Sequence, residues 1–261
     1  VCTRGVIIFP EQEVIIDVGR PKSVKAIEES QLNYESHVCL VAQRDLALEE
    51  PDAQQLYAFG TLCEIRHVRR LDGYLRVKFK GLKRVELPMI LDDEQMMSAD
   101  AVICEDVQQD PMEEVALVRK IAKQFEQIEA VANNIPKDMI AELAKGVSAK
   151  QLTDQIAQVF PFTLERRQEI LETLGINDRL LLILREIESE KELSAIENKI
   201  NDKVKNRIEE SQKEYYLREK MRAIKEELGD VGDSEKEVDE IRRKLEEYPY
   251  PEAIKEKVKE E

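Results

Sequence analysis

The chain has 261 residues, with 40 Lys and Arg against 55 Asp and Glu, a formal net charge of −15. A surface that acidic opposes the clustered cations that neutralise phosphates, which argues against a general nucleic-acid binder. The longest uninterrupted aliphatic run, Leu180 to Leu184, falls far short of the roughly 20 apolar residues of a membrane-spanning helix, and Val1-Cys2-Thr3-Arg4 leads into a strand-like run rather than a signal peptide's apolar core. A cytoplasmic protein is therefore expected.

The first 105 residues read as β-rich. Val6-Ile7-Ile8-Phe9, Val14-Ile15-Ile16 and His37 to Ala42 are short apolar runs, and Leu62 to Arg70 and Leu75 to Lys80 flank a turn containing Asp72-Gly73. In Leu75-Arg76-Val77-Lys78-Phe79-Lys80, three apolar side chains fall on one face and three cations on the other, the period of a half-buried strand. Asp-Gly supplies the positive φ of a tight hairpin turn. One helix interrupts the strands, with Pro21 at its first turn and Val24, Ala26, Ile27 and Ser30 on its less polar side. A small, mostly antiparallel barrel or sandwich is expected.

From about Asp110 the period changes. Asp110 and Pro111 suit the cap and first position of a helix, Glu113 and Glu114 suit its positive end, and Val118, Ile121, Phe125 and Ile128 recur at three and four residues, predicting a helix to about Ala132. Asn133-Asn134-Ile135-Pro136 breaks it, Ser148-x-x-Gln151 has capping-box spacing, and Pro161 breaks the chain again before a helix ending near Gly175. Residues 106–177 thus predict a bundle of three or four short helices.

From Asp178 through Leu228 there is no Gly and no Pro, and apolar residues recur from Leu180 through Ile196, Ile200, Val204 and Ile208 to Leu228. An uninterrupted helix over 178–229 would be about 77 Å long at roughly 1.5 Å per residue, against a gyration radius of only about 13 Å for a 100-residue domain. Most of it is expected to project, with a narrow apolar stripe that needs another helix or a neighbouring subunit to cover it. Charge is shared evenly, since 1–105, 106–188 and 189–261 each net −5. Gly229 is expected to stop the helix, Ser234-x-x-Glu237 to start another, and Tyr248-Pro249-Tyr250-Pro251 to interrupt it. Residues 230–261 read as a linker and helical start of a further region, and the ending in Lys257-Val258-Lys259-Glu260-Glu261 suggests a piece of a larger protein.

Signatures of catalysis are missing. None of the nine glycines is followed by Lys, so there is no phosphate-cradling loop, and no G-x-S-x-G, H-E-x-x-H or G-x-G-x-x-G occurs. His37 and His67 both lie in strand-like segments; His67 beside Arg66 and Arg69-Arg70 suggests a small anion site or simply a cationic strand surface. Asp92-Asp93-Glu94 lacks the spaced oxygens of a calcium loop. Cys2, Cys39, Cys63 and Cys104, with no C-x-x-C pair, read as reduced structural thiols. No catalytic, cofactor or metal residue is expected.

At Gln212 to Gly229 the chain reads QKEYYLREKMRAIKEELG, which closely resembles the segment of Lon-type ATP-dependent proteases that precedes their ATPase module. Arg4-Gly5 followed by Val6-Ile7-Ile8-Phe9-Pro10, then Asp17-Val18-Gly19-Arg20 and Ser23, is similar to the opening of the same family's amino-terminal domain, and Gly60-Thr61 and Gly81-Leu82 also fit. Two departures stand out: Cys2-Thr3 where the family commonly has Pro-Leu, and the charged loop Glu11-Gln12-Glu13.

The resemblance implies an α+β chain: a mostly antiparallel, barrel-like (PUA-like) head over 1–105, a helical bundle, and a very long projecting helix that joins neighbouring subunits. It implies a substrate-recognition and oligomerisation module of a hexameric protease that degrades misfolded or unfolded proteins. The Walker motifs with their ATP and Mg, and the Ser-Lys dyad of the serine endopeptidase, belong to other domains, so no enzymatic activity and no cofactor are expected in this stretch. Substrate contact is expected near Phe9, Pro10 and Val14 unless these are core. Inter-subunit contact is expected at Tyr215, Leu217, Met221 and Ile224 unless they fold back on Val238, Ile241 and Leu245. The alternative is a stand-alone coiled-coil scaffold or adaptor with a β head and no proteolytic partner.

Overall fold

The computed structural model describes residues 1–125, 148–227, 239–244 and 247. The chain divides into two compact units, Val1–Ser194 and Ala195–Glu261, so the expected boundary at 105/106 falls inside the first. The expected end of the first bundle helix with its Asn133 to Pro136 break, the stop at Gly229, the start at Ser234, and the Tyr248 to Pro251 interruption all lie outside the described residues.

In chain order the first unit holds strands β1 (Cys2–Thr3) and β2 (Glu13–Val18), helix α1 (Pro21–Asn33), β3 (His37–Ala42), a 3₁₀ turn (Ala53–Gln55), β4 (Phe59–Leu71), β5 (Tyr74–Asp92), β6 (Met97–Cys104), and helices α2 (Pro111–Phe125), α3 (Ala149–Val159) and α4 (Leu164–Glu172). Helix α5 (Ile176–Glu227) starts in this unit and runs into the second. The architecture is α+β, as expected.

The strand path is β1-β3-β4-β5-β2, with β6 also on β5. All pairs are antiparallel except β1 with β3. β4 and β5 form the expected hairpin, Leu71 facing Tyr74 across Asp72-Gly73, with Gly73 at φ 84°. β5 is long enough to serve two partners: residues 75–80 pair with β2 and 84–92 with β6. Its Pro88 sits where the β6 register shifts, between Glu86 and Met89, a place that tolerates a missing N–H donor. The two ends of the path meet: Arg20, just past β2, donates to Cys2 Sγ (3.2 Å) and Gln43 Oε1 (2.7 Å).

Leu75, Val77 and Phe79 are buried, and their alternates pair with acids of β2 and its turn: Arg76 with Asp17 (2.7 Å), Lys78 with Glu13 (2.7 Å), Lys80 with Glu11 (3.0 Å). The charged loop is thereby satisfied against β5, its turn closed by Gln12 N donating to Phe9 O and Glu11 N to Gly81 O. Cys2-Thr3 forms β1, where Thr3 Oγ1 donates to Val6 O (2.6 Å).

One expectation needs correcting. Val6 to Phe9 belongs to no strand; Val6 is half-buried and Ile7, Ile8 and Phe9 are buried. Ile7 and Phe9 join the core that contains α2 to α5, whereas Ile8 joins the core of β2, β4, β5 and α1. Alternation here divides the run between two cores instead of between core and water. The resemblance's two glycines flank this arrangement. An added Cβ at Gly81 would collide with the Phe9 carbonyl, and one at Gly60 with the Leu40 carbonyl, so close backbone approach demands Gly at both.

The helical layer starts as expected: Pro111 opens α2 and Asp110 Oδ1 accepts from Met112 N (2.8 Å), while Ser148 caps α3 and accepts from Gln151 N (3.4 Å). Leu117, Ile121, Leu152, Ile156, Ile170, Leu171, Leu180 and Ile183 close the core. The start of α5 is fixed from outside it, since Gln109 Oε1 accepts from Asn177 N (2.9 Å) and Asn177 Nδ2 donates to Asp110 O (3.0 Å). Gln109 Oε1 also accepts from Asp178 N (3.2 Å), so this one side chain satisfies two backbone N–H groups that a helix start leaves without partners.

Candidate functional site

The first expected contact region is placed mostly inside. Phe9 is fully buried and Pro10 is buried, so neither offers a surface to a peptide, and Val14 is half-buried against the second core. The apolar side chain that β2 turns outward is Ile15, 62% exposed. The physical reason is the double burial of the Val6 to Phe9 run described above.

Where the β layer meets the helices lies a buried ionic cluster that sequence spacing does not announce. Arg84 of β5 grips Asp154 of α3 with both terminal nitrogens, one at 3.1 Å, and donates from Nε to Leu171 O (3.1 Å). Arg179 of α5 donates to Asp106 (2.6 Å) and reaches Asp154 at 3.5 Å. Lys150 adds a third cation on Asp106 (2.6 Å). Burial alone would raise the Asp106 carboxyl, but the Lys150 hydrogen bond and the Arg179 and Arg84 charges outweigh it and hold the group below its ordinary value. Arg84 and Arg179 are fully buried, so removing one acid would strand a charge. The cluster is a clamp between β5, α3 and α5.

The four cysteines are free thiols, and burial pushes Cys63 up to about 12. Among the described residues no group of metal-ligating side chains occurs, and no helix is long and apolar enough to cross a membrane. His67 lies on the outer face of β4 opposite Lys78, while its neighbours Arg66 and Arg70 pair with Glu64 and Glu28. Asp92 pairs with Lys22, and Asp93 accepts two turn N–H groups, from Gln95 and Met96.

Helix α5 is continuous over 52 residues, about 78 Å at roughly 1.5 Å per residue. Ile176, Leu180, Ile183, Leu184 and Ile187 are buried, but from Leu193 onward every large apolar side chain is about half exposed or more, Tyr215 at 68% and Ile224 at 46%. At about 100° per residue, Leu193, Ile196, Ile200, Val204, Ile208 and Tyr215 share one seam, and Leu193, Val204 and Tyr215 stand eleven residues apart. Leu217, Met221 and Ile224 lie on a second seam, centred about 110° away. The four expected contact residues are thus all exposed, but they do not form one face: Tyr215 belongs with the upstream seam. Of the alternative fold-back partners, Ile241 is 49% exposed, and Val238 and Leu245 lie outside the described residues.

Contiguous apolar surface of this kind is characteristic of modules that bind other polypeptides. A family model described as the ATP-dependent protease La (LON) substrate-binding domain matches residues 1–189, and the chain belongs to that family. It is 34% identical over 259 residues to the Lon protease of Brevibacillus choshinensis and 33% identical over 259 residues to that of Escherichia coli K12, in each case over 99% of this chain and 33% of the relative. Lon protease 1 of Bacillus subtilis is 34% identical over 97% of this chain and 33% of its own length. The chain thus spans about a third of the length of these relatives. Among solved structures, the N-terminal domain of the Mycobacterium avium complex Lon protease superposes with a TM-score of 0.57 at 14% identity, covering 72% of this chain and 96% of that domain, a likeness of fold.

Proposed function

We propose that this chain is the substrate-engaging and assembly module of a Lon-type ATP-dependent serine endopeptidase that degrades unfolded or misfolded proteins. The module captures polypeptide and self-associates, and hydrolysis of ATP and of peptide bonds belongs to domains outside the matched residues. Family membership over residues 1–189 carries the reading. In this reading the first unit binds segments whose apolar side chains a folded protein hides, and the bare seams of α5 join sister chains as in the hexamer of the parent enzyme. The setting is the cytoplasm, with ATP and Mg held elsewhere in the parent. Crosslinking a permanently unfolded, carboxymethylated protein to the chain tests the reading. Label within residues 1–194 that a folded control does not give is the expected result; equal labelling by both, or turnover of peptide by the purified chain itself, would overturn it.

A further inference from the structure

The eight residues of β6 form a sheet edge that lacks the usual side-chain guards, with α1 as its neighbour on the open side. β6 pairs with β5, and no other strand among the described residues pairs with it. Proteins blunt such edges with Lys, Pro or inward charges, yet Met97–Cys104 contains no Lys, Arg or Pro, and its single charge is Asp100. Beside it runs a groove of about 510 Å³ between β6 and the end of α1. Its floor is the unfinished rim of the third core. Val41, Leu56, Val85 and Leu87 are buried there, while Cys39, Leu62, Ile90 and Met97 pack against them only half-covered and line the groove.

The groove also has a sign. Glu29 and Glu35 stand in its wall and no Lys or Arg side chain does. The adjoining cavity of about 360 Å³ adds Glu50, Asp52 and Glu94; its Lys22 is paired with Asp92, Arg20 donates to Cys2 and Gln43, and the Val1 amino group, which lines both spaces, donates to Cys39 O. We propose that β6 is the strand-addition edge on which an extended, apolar and cationic polypeptide segment docks. Main-chain hydrogen bonds to β6 supply sequence-tolerant affinity, apolar side chains complete the third core, and Lys or Arg side chains meet Glu29 and Glu35. This assigns a place and a substrate class to the binding in the proposed function and rests on that reading.

The test titrates the whole chain with the peptide Arg-Val-Arg-Val-Arg-Val, its Glu-for-Arg counterpart and a version N-methylated at alternate amides, following backbone amide shifts. Expected are shifts centred on Met97–Cys104 with the first peptide, at least about tenfold weaker binding of the other two, and about tenfold weakening in the Glu29→Lys/Glu35→Lys variant. If the carboxymethylated unfolded protein binds but leaves Met97–Cys104 unmoved, β6 is not the site and the proposed function stands. If that protein does not bind at all, both fall. Equal affinity for the N-methylated peptide overturns strand addition. A doubled mass without peptide, with β6 amides protected, makes a second copy of the chain the occupant and overturns the proposal as well.

Discussion

Helix α5 contains its own control experiment. Its first turns and its later ones have the same spacing of apolar residues, yet Ile183 is fully buried and Ile200 is 53% exposed. Periodicity states that a helix has a greasy side; it does not state whether anything covers it. Residues 176–187 are covered by α2, α3 and α4 within the first unit, and their burial is what folding consumes. Residues 193–224 keep the same kind of surface in reserve, which is the property a binding or assembly element needs.

That contrast can be broken by substitution, beginning at the clamp that fixes the covered half. Asp154→Ala leaves the buried Arg84 and Arg179 with Asp106 as their one remaining acid and is expected to cost about 3–5 kcal/mol in urea unfolding; a loss under about 1 kcal/mol would mean that Asp106 and water compensate the two guanidiniums. Ile183→Ala is expected to cost about 2–5 kcal/mol, whereas Ile200→Ala in dilute solution should change stability by no more than about 0.5 kcal/mol. Equal losses would show that the seam beyond Leu193 is covered within one chain.

The clamp also sets a pH dependence. The Asp106 carboxyl lies below its ordinary 3.8 in the folded state, so its contribution is fully present above that value and is lost as pH falls through the lower folded value. Asp106→Asn should therefore destabilise at pH 6, and the gap to the parent chain should narrow below about pH 3.8 in urea titrations; a gap constant with pH would remove the carboxylate from the account. A small effect of opposite sign concerns Glu35, whose φ of 49° lies in the left-handed region. Glu35→Gly should raise stability by about 0.5–1 kcal/mol, read as a higher Tm, while a lower Tm would show that the side chain contributes more than its strain.

Much of the fold was legible because its signals are local. Pro21 opens α1, Asp72-Gly73 turns β4 into β5, Ser148 caps α3, and the absence of Gly and Pro after Asp178 allows one long helix. The clamp was illegible because its partners, Arg84, Asp106, Asp154 and Arg179, come from separate elements with no spacing in common, and each alone resembles a surface charge. For Phe9 the sequence left contact and core both open, because an apolar run shows no face when both sides are buried; the structure buries it. Strand β6 went unread because Ser98-Ala99-Asp100-Ala101 lacks both alternation and β-branched residues. On α5, the change of seam at Tyr215 to Leu217 follows from helix geometry alone and was available from residue numbers.

The central claim, that the uncovered seams of α5 are association surfaces, is tested most directly by sedimentation equilibrium of the chain across concentration, beside Ile200→Glu and Met221→Glu. The account predicts a mass that rises with concentration for the parent chain and less steeply for both variants, with unfolding midpoints in dilute solution unchanged. A parent chain that stays monomeric at every concentration, or variants that associate as it does, would contradict it.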